Sequence, residues 1–273
     1  MEAMSMNPSE MDPRPGTATR STLTRRRLLD ALAASGVAVA GGVALAASKD
    51  PAPAHAAVPY AAGGPDESEE TLSGINPTRA LHELLAGNKR FAAGRMLHPR
   101  LSVQRRAQVA PRQQPLAAIL GCSDSRVPPE IIFDQGLGDL FVIRVAGNTA
   151  DDVALGSLEY AVEHLGVHLV MVLGHERCGA VQATYDMLTK GEVLPGHIAA
   201  LAVPIVPAVQ AAQAISGDVV NNAVTANVRM VAAHVRTTAP ILSSHVQKGA
   251  LKVVGARYAL ESGVVTLIAP VAG

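Results

Sequence analysis

The sequence predicts an α/β fold, with a mostly parallel central β-sheet flanked by helices, an N-terminal helical arm and an edge hairpin at the C-terminus. Three observations lead there. Short apolar runs recur at 116–120, 140–145, 168–173 and 251–255. Runs that are apolar throughout, rather than alternating, belong to strands covered on both faces. Stretches with helical spacing separate them, and parallel strands need such crossovers. Finally, 48% of the 273 residues are apolar, mostly Ala and Val, which suits a buried sheet under small-residue helices. The formal net charge is +0 and Trp is absent. Nucleic acid is therefore not an expected partner, because neither a charged surface nor base-stacking platforms are present.

From the start of the chain, residues 1–20 are polar with Pro and Gly, a composition that does not bury a core. Arg25, Arg26 and Arg27 then precede an uncharged run over 31–47, and Ala54, His55 and Ala56 follow as a small-residue cleavage site. A basic stretch, an apolar run and such a site make an export leader. The paired arginines and mild Ala/Gly core point to the twin-arginine route. The run is shorter and less apolar than the roughly 20 residues a membrane span needs. Cleavage near Ala56 would leave an exported chain, periplasmic or extracellular, without a stable membrane span. Residues 1–56 are thus read as disordered start and leader, 57–75 as a linker, and 76–273 as the folded domain.

In that domain Asn76 is expected to cap a helix over 77–94. Pro77 suits the first position, and Leu81, Leu84, Leu85, Asn88 and Phe91 keep helical spacing. A short helix is expected over 102–110. Strand one, 116–120, leads to a short helix within 127–133, and strand two covers 140–145. A helix over 152–164 has Asp151 or Asp152 near its cap. Strand three, 168–173, ends before Gly174 and leaves His175 on a loop. A helix over 179–190 begins at once. Residues 191–222 read as a helical excursion, and a long helix over 223–244 is interrupted at Pro240. Strand four, 251–255, precedes a hairpin of 256–260 and 264–268.

The chain has only two cysteines, Cys122 and Cys178. Cys122 follows strand one, and His175 and Cys178 follow strand three. In open α/β sheets the loops at the carboxyl ends of strands hold ligands. Two thiols and one imidazole thus meet at one edge. Thiolate and imidazole suit zinc, and three protein ligands with one open position is the pattern of a catalytic site. Asp124 can reach the fourth position, and Arg126 can pair with that carboxylate and draw it off. A disulfide between Cys122 and Cys178 is the alternative; it leaves His175, Asp124 and Arg126 without a role.

These segments resemble the β-class carbonic anhydrases. The likeness rests on Cys-Ser-Asp-Ser-Arg at 122–126, Gly-His-Glu-Arg-Cys-Gly at 174–179, and the stretches 138–148 and 157–162, and extends over about 76–268. It implies one zinc ion per chain on Cys122, His175 and Cys178, with Asp124 and Arg126 gating the fourth position. It implies reversible hydration of carbon dioxide to bicarbonate and a proton by attack of zinc-bound hydroxide. Two anionic thiolates would damp the ion's acidity, so activity is expected to rise on the alkaline side of neutral. The resemblance also implies a substrate pocket with Gln113 as donor and Phe141, Ala146 and Tyr160 in its walls. That pocket would form across the interface of a homodimer or higher homo-oligomer, with the helix over 77–94 packed on the partner subunit. Some family members carry a second bicarbonate site at positions matching Ile119, Arg144 and Tyr258, and Ile119 lacks the indole donor used there. Hydrolysis of carbon disulfide or carbonyl sulfide on the same fold, or zinc binding without turnover, are the alternative functions.

Overall fold

The computed structural model of the chain describes residues 75–268. The expected leader, its cleavage site and the linker up to residue 74 lie outside the described residues. Helix α1, Pro77–Ala92, starts where the cap predicts: the Asn76 side chain accepts hydrogen bonds from the amides of Thr78 and Arg79 at 3.0 and 2.9 Å. Helix α2, Val103–Val109, is capped by Ser102. Then follow β1 (Ala117–Gly121), α3 (Pro129–Ile132), β2 (Leu140–Arg144) and a 3-10 turn over Ala146–Asn148. Helix α4, Asp152–Leu165, has Asp151 as its cap, and β3 covers Leu169–His175. Helices α5 (Gly179–Lys190), α6 (Ile198–Ala202), α7 (Val206–Ala212), α8 (Val219–Thr237) and α9 (Ile241–Gln247) precede β4 (Lys252–Tyr258) and β5 (Val265–Ile268). No described helix is long and apolar enough to cross a membrane.

The strands form one sheet in the order β2-β1-β3-β4-β5. All neighbours are parallel except β4 and β5, which make the antiparallel edge hairpin. Every residue of β1 and β3 is buried. Successive side chains point to opposite faces of a strand. Ala118, Leu120, Val170 and Val172 therefore pack with residues of α4, α8 and α9 on one face. Ala117, Ile119, Leu169, Met171 and Leu173 pack with α1 and α3 on the other. Both faces are covered, so no polar side chain interrupts either strand before His175 at the end of β3.

The structure corrects three boundaries. Strand β3 runs past residue 173 through Gly174 and His175, so His175 ends a strand rather than sitting on a loop. The expected strand over 251–255 and the first hairpin strand over 256–260 are one strand, β4, unbroken at Gly255. Both glycines are seats for a helix, not stops. They lie on adjacent strands beneath Val228 of α8, where a Cβ on Gly174 would come 2.4 Å from one Val228 methyl and a Cβ on Gly255 2.8 Å from the other. The third boundary is the start of the long helix, which begins at Val219, before residue 223. Asp218 caps it, accepting from the amides of Val220 and Asn221.

Buried polar side chains tie the α3–β2 connection to the first helices. Asn88 donates to the carbonyls of Ile132 and Gly263 and accepts from the Val265 amide, linking α1 to the edge hairpin. Asp134, 1% exposed, accepts from Arg90 at 2.6 Å and from the amides of Leu97 and His98, both at 3.0 Å. Asp139 is gripped by Arg100 and Arg105 and by the Gly136 amide.

Candidate metal centre

Strand order reverses at β1, with β2 on one side and β3 on the other. A crevice opens at the carboxyl ends of the strands flanking such a reversal. Cys122 follows directly on β1, His175 is the last residue of β3, and Cys178 is the cap residue of α5. Their three potential ligand atoms lie within 4.8 Å of one another. All three residues are buried, at 5%, 0% and 1% exposure. The two thiols sit among Val181, Ile205, Val209, Ala212, Ala223 and Val224. Both cysteines are free, with the sulfurs 4.0 Å apart, so the disulfide alternative is not realised.

His175 Nδ1 lies 2.8 Å from the carbonyl oxygen of Glu176. A carbonyl only accepts, so Nδ1 carries the proton and Nε2 presents a lone pair. That Nε2 is buried and has no hydrogen-bond partner. Leaving such a group unsatisfied costs about 1–3 kcal/mol. A cation held jointly with the two sulfurs removes this cost, and a set of two sulfurs and one nitrogen is the chemistry zinc takes. The residues present therefore fit the ion.

The sulfurs differ in their surroundings. Cys122 is held well below the ordinary thiol range, first by the Cys178 thiol, then by His175 and the backbone amides of Gly147 and Asp124, against the opposing effect of burial. Cys178 is pushed up, because its S–H donates to the Cys122 sulfur and is kept by that bond, by burial, and by the cost of a second negative charge beside the first. The amides of Ala180 and Val181 at the start of α5 pull Cys178 the other way, but less. One proton thus leaves the pair easily, and a cation is what makes loss of the second favourable.

Asp124 is clasped by Arg126. Nε donates to Oδ1 at 2.9 Å, Nη2 to Oδ2 at 2.7 Å, and the Arg126 amide to Oδ1 at 2.9 Å. The guanidinium holds this carboxyl well below the usual carboxylate range. Asp124 Oδ2 lies 3.9 Å from His175 Nε2, so the carboxylate borders the ligand cluster while bound to the arginine. Arg144, at the end of β2, donates to the carbonyls of Cys122 and Asp124 at 2.9 and 2.6 Å and so pins the loop between them.

A family model described as carbonic anhydrase matches residues 117–265. The solved structure of the β-carbonic anhydrase CcaA is similar to this chain with a TM-score of 0.54 at 28% identity, covering 70% of this chain and 99% of that one. The chain belongs to the β-class carbonic anhydrases. It is 40% identical over 192 residues to a carbonic anhydrase of Mycolicibacterium smegmatis, covering 70% of this chain and 93% of that relative. It is 41% identical over 192 residues to carbonic anhydrase 2 of Mycobacterium tuberculosis, with the same coverage.

In this β-carbonic anhydrase chain the expected pocket residues separate into two groups. Gln113 and Tyr160 line a cavity of about 600 Å³ with Arg112, Gln114 and His164, and none of Cys122, Asp124, His175 or Cys178 lines it. The Phe141 ring lies 6.2 Å from that of Tyr160. Ala146 belongs instead to the turn beside the thiols, next to Gly147, whose amide donates to Cys122 Sγ at 3.3 Å. Ile119 is fully buried in β1 and Tyr258 lies at the end of β4. The Arg144 guanidinium is engaged by backbone carbonyls. Sequence reasoning missed Gly147 and Asn227 at this site. The available signal was Asn227 itself, a carboxamide in the apolar stripe of Ala223, Val224, Val228 and Val231.

Proposed function

We propose that the chain catalyses zinc-dependent reversible hydration of carbon dioxide, with Cys122, His175 and Cys178 holding the ion. The convergence of two buried sulfurs on an unpartnered imidazole nitrogen carries this reading. When bound, zinc supplies the Lewis acidity that makes a water molecule give up a proton near neutral pH.

The protein groups set up the rest. The Glu176 carbonyl holds the His175 proton on Nδ1 and so keeps Nε2 free for the ion. Asp124, kept ionised by Arg126, is an acceptor only. Its Oδ2 lies 3.9 Å from His175 Nε2, where it would accept a hydrogen bond from a water or hydroxide beside the ligand cluster. Arg126, bonded to both carboxylate oxygens, would also restrain Asp124 from acting as a ligand itself. Carbon dioxide is small and apolar, so apolar walls suffice to hold it. We further propose that Gln113, Phe141, Ala146 and Tyr160 complete the substrate pocket in a homodimer. Two features support a partner chain: the separation of Gln113 and Tyr160 from the thiols within one chain, and the half-buried apolar residues Phe141, Val142 and Ile143 on the edge strand β2. Export by the twin-arginine route completes the proposal, on the strength of the leader pattern.

Stopped-flow hydration of carbon dioxide, with zinc quantified on the same sample, tests the catalytic reading. Cys178→Ser is expected to lose zinc and turnover together. Arg126→Ala is expected to keep zinc while turnover falls by about ten-fold or more. Zinc-loaded protein that hydrates no carbon dioxide would overturn the reading.

A further inference from the structure

Asn227 lies in the middle of α8 and is 1% exposed. A carboxamide buried on an apolar stripe is costly unless its polar atoms are bonded. Its Nδ2 donates to the carbonyl oxygen of Gly147 at 2.8 Å, and the Gly147 amide donates to Cys122 Sγ at 3.3 Å. Gly147 has φ 76, in the left-handed region. A Cβ there would lie 2.6 Å from an Ile205 methyl and 3.2 Å from the Ala180 Cβ. Asn227, Ile205 and Ala180 thus enclose this one residue, and its N–H is aimed at a sulfur.

We propose that Asn227 is a positioning residue for the metal centre: by fixing Gly147 it sets the hydrogen bond to Cys122 Sγ, and thereby how strongly that sulfur donates to the ion. A hydrogen bond to a thiolate draws electron density away from the metal, and partners of this kind tune affinity and electronics without touching the ion. The proposal rests on the reading that Cys122 is a ligand, and adds a second control on it from a helix remote in sequence.

The test uses cobalt(II)-loaded full chain, in which a thiolate-to-metal charge-transfer band reports sulfur donation. A band in the unsubstituted protein is the check on thiolate ligation itself; its absence sinks the ligand reading, whatever Asn227 does. In Asn227→Leu the sulfur loses part of its hydrogen bond and donates more strongly, so the band is expected to move to longer wavelength. Val235→Ala removes buried packing elsewhere on α8 and serves as the control for general destabilisation; its band should stay in place. A band unmoved in Asn227→Leu, or moved equally in both variants, overturns the proposal. Should Asn227→Leu fail to fold, the cadmium-loaded unsubstituted protein decides. Nuclear coupling between the cadmium and the Gly147 amide proton across the sulfur is expected, and its absence overturns the proposal.

Discussion

Asp134 shows how much one carboxylate can organise. Burial raises its pKa, but the Leu97 amide, Arg90 and the His98 amide together more than offset this and leave it lowered. A lowered folded-state pKa contributes stability above the unfolded value of about 3.9 and loses it as pH falls through the folded value. Asp134→Asn keeps a residue tolerant of the left-handed conformation found there (φ 48), removes the charge and turns one accepting oxygen into an NH2 that faces a donor. It should cost about 2 kcal/mol near pH 7, and the difference from the unsubstituted protein should shrink as pH falls below about 4. Urea denaturation at several pH values, at fixed protein and zinc concentration, measures this. Legibility at this scale followed chemistry. Cys122, Asp124, Arg126, His175 and Cys178 stood out because thiols are scarce in the chain and lie just after apolar strand runs. Gly147, Glu176 and Arg144 did not, because they act through backbone atoms, or on them, and residue type says nothing of where a carbonyl or amide points.

The central elements of the sheet were readable, because strands covered on both faces have to be apolar throughout. Their ends were less so. Gly174 and Gly255 read as stops in a linear chain, yet both continue their strands, since what they accommodate is Val228 on a helix far away in sequence. Gly255→Ala should therefore overpack against Val228 and destabilise by about 1–3 kcal/mol. Combining it with Val228→Ala should recover most of that loss, a coupling visible in a double-mutant cycle. Equal cost of Gly255→Ala in both backgrounds, by chemical denaturation, would remove the seat account. The cap of α8 was missed for a related reason: Asp218 follows Gly217 in an Ala-rich stretch whose helical start is marked only by that side chain.

For the molecule as a whole, the proposed export bears on the chemistry. Thiol ligands are vulnerable in an oxidising compartment, and two free sulfurs 4.0 Å apart are exposed to pairing if no ion separates them. Folding and metal loading before transport avoid this, which fits a route that carries folded cargo. Replacing Arg25 and Arg26 with Lys should retain the chain inside the cell, as judged by fractionation and immunoblotting; unchanged export would remove the twin-arginine assignment. The seating of Val228 between two strands has a larger effect as well. It acts as a mechanical detent that indexes α8 along the sheet, and a slip of one helical turn would carry the preceding side chain, Asn227, about 5.4 Å out of place. Accuracy at the catalytic edge is then inherited from a steric notch in the interior.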